Sequence, residues 1–186
     1  MSKIALTPNA SGTGTLTIAA PNTSTDRTLT LPDSTGTIDT LGRAGNVLQV
    51  VTTEKTDTFT TTSSSYVDVT GLSVSITPTS SSSKILVLFQ INGSQQVGAG
   101  RASLKLLRNS TVINAGAAAG SRTPALGGFS SADTSIPSTP VSGNYLDSPA
   151  TTSPVTYKNQ VKISMGSPVG SSTFTPQTIT LMEVTP

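Results

Sequence analysis

The 186-residue sequence predicts an all-β protein: an extended N-terminal β segment, residues 1–45, followed by a β-sandwich, residues 46–186. Three observations predict it. Apolar and polar side chains alternate at period two in one short stretch after another, roughly eight to ten of them after residue 45. Ser, Thr, Gly and Pro clusters punctuate those stretches with turn chemistry. No stretch keeps a helical period beyond about two turns.

In the N-terminal segment, Thr15-Leu16-Thr17-Ile18 is echoed by Thr28-Leu29-Thr30-Leu31 and more weakly by Thr35-Gly36-Thr37-Ile38. Each unit alternates Thr with an aliphatic residue, the pattern of a half-buried strand. Pro21-Asn22-Thr23 and Pro32-Asp33-Ser34 lie between them and suit turns. One copy of three such strands buries too little to offset backbone ordering. The segment is then either disordered when free or paired with other copies and a partner, and the unbroken alternation favours pairing. Leu41-Gly42-Arg43-Ala44-Gly45-Asn46 reads as a hinge, with two glycines and an Asn interrupting the strand pattern.

Beyond the hinge, Val47–Val51 is a compact apolar run, and Thr56–Thr62 centres on Phe59. Tyr66, Val67 and Val69 begin a strand that Gly71 is expected to turn. Leu72, Val74 and Ile76 then alternate with Ser73, Ser75 and Thr77, giving one dry face and one wet face. After the polar loop Ser80–Ser83, Lys84–Ile91 is apolar on both faces and is expected to be a central strand covered on both sides. Ala102, Leu104 and Leu106 form a strand, Asn109-Ser110 a turn, and Thr111–Ile113 its continuation. Residues 115–143 read as one long connection anchored by Phe129 and Ile136, and long connections tend to line interfaces. Strand pattern returns at Val155–Ile163 and Thr173–Val184.

Composition excludes several chemistries. With no His and no Cys, the chain has no Ser-His-Asp triad, zinc finger or disulfide framework. Its 11 basic and 9 acidic residues give a net charge of +2 and are scattered along the sequence, which gives no footprint for nucleic acid. No apolar run approaches the roughly 20 residues of a membrane span. Ser and Thr fill about a third of the positions, while Leu, Ile, Val and Phe fill roughly 23%, a lean supply for a core that sharing between copies would reinforce. Paired carboxylates could support glycoside hydrolysis, with Asp133, Asp147 and the ring of Tyr145 as the available groups. The simpler reading makes both acids solvated turn residues. No calcium loop or phosphate loop is present, so no catalytic, metal or cofactor residue is assigned.

Two resemblances carry a functional expectation. Residues Gly14-Thr15-Leu16-Thr17-Ile18-Ala19-Ala20-Pro21 with Arg27-Thr28-Leu29-Thr30-Leu31-Pro32-Asp33-Ser34-Thr35-Gly36-Thr37-Ile38 resemble the N-terminal region of tail-fibre and related virion structural proteins of tailed bacteriophages. There a phrase of the form T-L-T-L-P-x-x-T-G-T precedes a fibre or knob. Tyr66–Pro78, Lys84–Ile91 and Thr178–Val184 resemble small trimeric phage fibre heads with a jelly-roll sandwich similar to the C1q/TNF type. These resemblances imply a homotrimeric jelly roll made in the bacterial cytoplasm and exposed on the virion. The N-terminal segment would dock on another tail or capsid protein. Leu16, Ile18, Leu29, Leu31 and Ile38 would be its assembly contacts, and exposed head loops near Tyr145 would face a host glycan or protein. Neither catalysis, a cofactor, nucleic acid nor membrane insertion enters this expectation. A capsid decoration protein and a small polysaccharide-cleaving spike are the rival readings.

Overall fold

The computed structural model describes residues 11–15, 17, 19, 22–26, 28, 43–95, 100–118, 120–121, 123–131, 139–165 and 172–186. The chain divides into two units, Met1–Ile38 and Asp39–Pro186. In the first, the described residues are exposed, and the Thr25 amide donates to Thr23 Oγ1 at 3.1 Å. The five expected assembly contacts, Leu16, Ile18, Leu29, Leu31 and Ile38, lie outside the described residues.

The second unit is all-β. Its strands are β1 (Val47–Lys55), β2 (Phe59–Thr61), β3 (Val67–Ile76), β4 (Lys84–Gln95), β5 (Gly100–Arg108), β6 (Thr111–Asn114), β7 (Gly127–Ser131), β8 (Thr139–Asp147), β9 (Val155–Met165) and β10 (Ser172–Val184). They form two antiparallel sheets. The first has the order β1-β10-β4-β8, with β2 also on β10; the second has the order β3-β9-β5-β6, with β7 also on β5.

The pairings are nested. β1 pairs with β10, β3 with β9, β4 with β8 and β5 with β7. The strands therefore run as one long antiparallel hairpin whose arms are rolled so that successive pairs fall on alternate sheets. That winding defines a jelly roll. The jelly-roll expectation thus follows from the strand order itself.

The sheets close on one core. Leu72, Ile85, Val87, Ile91, Leu104, Leu106, Tyr157, Val161, Ile163, Ile179 and Leu181 are each fully buried. They occupy alternate positions, as period-two patterning demands. Burying each large aliphatic side chain contributes about 1.5–3 kcal/mol, so a lean composition still closes a core when nearly every aliphatic on the inner faces is used.

Three local expectations change. Gly71 does not turn the chain. It sits inside β3 at φ +84°, where the β3–β9 register slips between Asp68 and Ser73. It is a bulge, and the left-handed backbone explains the glycine. Residues 115–143 are not one connection, because they contain β7 and the start of β8. β4 is central, flanked by β10 and β8, but only its inner face is dry; Leu86 and Leu88 on the outer face stay half-exposed.

Candidate interaction faces

The polar residues drawn into the sandwich serve its architecture. Arg108 on β5 directs Nη1 at both oxygens of Asp147 on β8, at 2.9 and 2.7 Å, and Tyr157 on β9 donates its hydroxyl to Asp147 Oδ2 at 2.7 Å. Asp147 is 5% exposed and Tyr157 is 0% exposed, so the triangle stitches the first sheet to the second out of water. Burial, then the hydrogen bond to the carboxylate, pushes the Tyr157 hydroxyl far above its usual pKa; it stays a proton donor. Asp147 is therefore no solvated turn residue. Its oxygens are committed to Arg108 and Tyr157. Asp133, the other acid of the hydrolytic reading, lies outside the described residues.

Glu183 on β10 forms a second knot. Its Oε1 accepts from the Thr79 amide and hydroxyl, both at 2.7 Å, and its Oε2 accepts from Gln49 Nε2 at 2.5 Å. Burial raises the carboxyl, but the bonds from Gln49 and Thr79 outweigh it, so its pKa lies below the ordinary value. Among the described residues no group of three or more His, Cys, Asp or Glu is placed to hold a metal, and no helix is long and apolar enough to cross a membrane.

The two outer faces have different chemistry. On the first sheet, register aligns Val50, Met182, Leu86 and Leu146 in one cross-strand row. Val50 is 55% and Leu146 is 50% exposed, and the two between them are half-buried. The next row, Thr52, Thr180, Leu88 and Asn144, carries no charge, and the Thr52 and Thr180 hydroxyls bond at 3.0 Å. A shallow depression of about 450 Å³ lies there, bounded by Leu88, Gln90, Ser142, Asn144, Thr178 and Thr180. An apolar row crossing a whole sheet face differs from the singly scattered apolar residues of ordinary surfaces.

The second sheet's outer face is polar and basic. Lys158 contacts Asp68 at 2.7 Å, and Gln160 donates to the same carboxylate at 2.8 Å. These bonds, Lys158 first, hold the Asp68 carboxyl below its ordinary pKa. Lys105 and Lys162 sit 4.0 and 5.9 Å from the centre of the Tyr66 ring. The Tyr66 hydroxyl is anchored on the Pro124 carbonyl at 2.7 Å.

Tyr145, the expected host-facing residue, belongs to β8 rather than a loop, and its half-buried side chain packs against the core. Sequence reasoning did not find either outer face. The apolar row joins residues 50, 86, 146 and 182, which only the strand register brings together. The available signal was the two-sided apolar pattern of β4, whose outer half has no cover among the described residues.

The described residues define a jelly-roll β-sandwich with an apolar row on one outer face and a basic line on the other. No protein-family model and no curated protein matches the sequence. Among solved structures, the chain is similar to one from infectious bursal disease virus, Gx strain, with a TM-score of 0.49, 15% identity, and coverage of 74% of this chain and 33% of that one. It is also similar to a chain of that virus's crystallised viral particle, with a TM-score of 0.45, 12% identity, and coverage of 75% and 38%. The chain spans little more than a third of the length of these neighbours.

Proposed function

We propose that this chain is a virion structural protein: a short trimeric fibre or spike, anchored to the particle by residues 1–45, with the jelly roll as its exposed head. It works by assembly and binding, without catalysing a reaction and without a cofactor. The observation that carries this reading is the apolar row Val50–Met182–Leu86–Leu146, flanked on one side by the uncharged row Thr52–Thr180–Leu88–Asn144 and on the other by Val184 and Lys84. Such a face gains free energy when another copy removes it from water, and threonine hydroxyls can pair across the contact without a desolvated charge. The N-terminal resemblance supports the anchoring half. There the alternating Thr-Leu units would be ordered by neighbouring copies and by a second virion protein.

The anchoring role is tested with L29D/L31D. The double variant is expected to fold its sandwich normally and to be lost from purified particles, read by immunoblot of a particle fraction. Wild-type incorporation of that variant would count against the role of these leucines. Antibody labelling on imaged particles then separates a tail mounting from a capsid mounting.

A further inference from the structure

The outer face of the second sheet gathers charges that are scattered in sequence. Its strands carry Arg101, Lys105, Arg108, Lys158 and Lys162 but one acid, Asp68. Arg108 turns to Asp147 between the sheets. The remaining four cations against Asp68 make a face of +3 on a chain whose net charge is +2.

Register arranges these four regularly. Lys105 is opposite Gln160, and Ser103 is opposite Lys162; Lys158 is opposite Leu107, and Arg101 is opposite Ser164. The order Lys158, Lys105, Lys162, Arg101 therefore zigzags between β9 and β5, two residues further on at each step. Diagonal neighbours of this kind stand about 7–8 Å apart, and the line covers about 20 Å. Neutral hydrogen-bonding side chains, Gln160, Ser103 and Ser164, fill three of the four alternate places, and buried Leu107 fills the one opposite Lys158. The Tyr66 ring pre-positions Lys105 and Lys162. At its Arg101 end the line enters a groove of about 280 Å³ bounded by Arg101, Ser103, Ala125, Gly127, Gly128 and Phe129. Gly128 lets β7 approach β5 this closely beside the groove, because a Cβ there would lie 2.0 Å from the Ala102 carbonyl oxygen.

We propose that this zigzag and its groove bind an acidic polysaccharide chain. Cations about 7–8 Å apart, interleaved with amide and hydroxyl groups, fit a polymer of sparse anionic charge and dense hydroxyls. Duplex DNA presents a charge every ~1.7 Å, and tight binders neutralise roughly 6–10 phosphates, more than this line supplies. The inference deepens the exposed-head reading and rests on it for its biological setting, but its chemistry belongs to the purified protein.

The full chain is titrated with polygalacturonate, neutral dextran and duplex DNA at low and high salt. Expected are binding to polygalacturonate that weakens as salt rises, none to dextran, and weaker binding to DNA. R101E/K105E/K162E should weaken the acidic glycan about tenfold or more, whereas K84E, on the first sheet, should leave it unchanged. R101Q/K105Q/K162Q repeats the test with less perturbation, and thermal melts confirm the fold of each variant. No polygalacturonate binding, equal loss in K84E, or tighter binding to DNA would each overturn the proposal. Absence of the protein from particles would sink the virion reading and leave this binding result standing.

Discussion

A buried carboxylate is stable only when its lone pairs are filled, and Asp147 and Glu183 fill theirs differently. Asp147 faces a guanidinium and a phenol, so removing its charge leaves Arg108, only 24% exposed, without its counter-ion. D147N is expected to cost about 2–3 kcal/mol in urea unfolding. Glu183 has neutral donors only, so its contribution follows pH. Its folded pKa is depressed below the ordinary 4.5, which means it stabilises the sandwich above that value. That stability is lost as pH falls through the folded pKa. The wild type is therefore expected to lose melting temperature steadily below about pH 4.5, and E183Q to start lower at neutral pH and lose less on acidification. Neither role was legible in the sequence. Asp147 precedes Ser148 and Pro149, the usual company of turns, Glu183 interrupts an apolar strand run, and Gln49 and Thr79, the partners of Glu183, lie more than 100 residues away in the chain.

At the scale of elements, alternation was legible wherever one face is aliphatic. Leu72, Val74 and Ile76 in β3 and Ile179, Leu181 and Glu183 in β10 point inward as the period requires. β8 was missed because Pro140, Gly143 and Asn144 are turn formers by propensity, while pairing with β4 along its whole length overrides propensity. Gly71 was misread for a related reason: a positive φ serves a turn and a bulge equally. The bulge predicts that G71A costs about 1–2 kcal/mol, the penalty of a left-handed backbone with a Cβ. Differential scanning calorimetry on the two proteins checks it. The neighbouring Lys55, 6% exposed and 2.7 Å from Asp57, lies under that bulge, with its Nζ 3.5 Å from where the Cβ would stand.

For the whole molecule, the shortage of aliphatic side chains suggested that copies must share a core. The sandwich instead closes its own core, and the surface offered for the proposed assembly is the outer face where Val50, Met182, Leu86 and Leu146 line up. V50D/L146D is accordingly expected to keep the wild-type circular dichroism and lose the oligomer in sedimentation velocity, since two charges on an apolar face oppose its burial. An unchanged sedimentation coefficient would count against assembly through this row. The same register that hid this row from a linear reading also hid the basic zigzag: single cations every four residues look scattered until two strands are laid side by side.

The nested winding has a mechanical consequence. β1 enters and β10 leaves the sandwich at one corner, where the Gly45 amide bonds to the Thr185 carbonyl at 3.1 Å, the Thr185 amide to the Asn46 carbonyl at 3.0 Å, and the Thr185 hydroxyl to the Arg43 carbonyl. Tension arriving through residue 45 meets this latch first. Pulled against the carboxy end, the β1–β10 ladder opens like a zip, a rung at a time and at small force. Pulled against the far end of the barrel-shaped roll, every rung is sheared together, so the direction of the load, more than its size, decides whether the head holds.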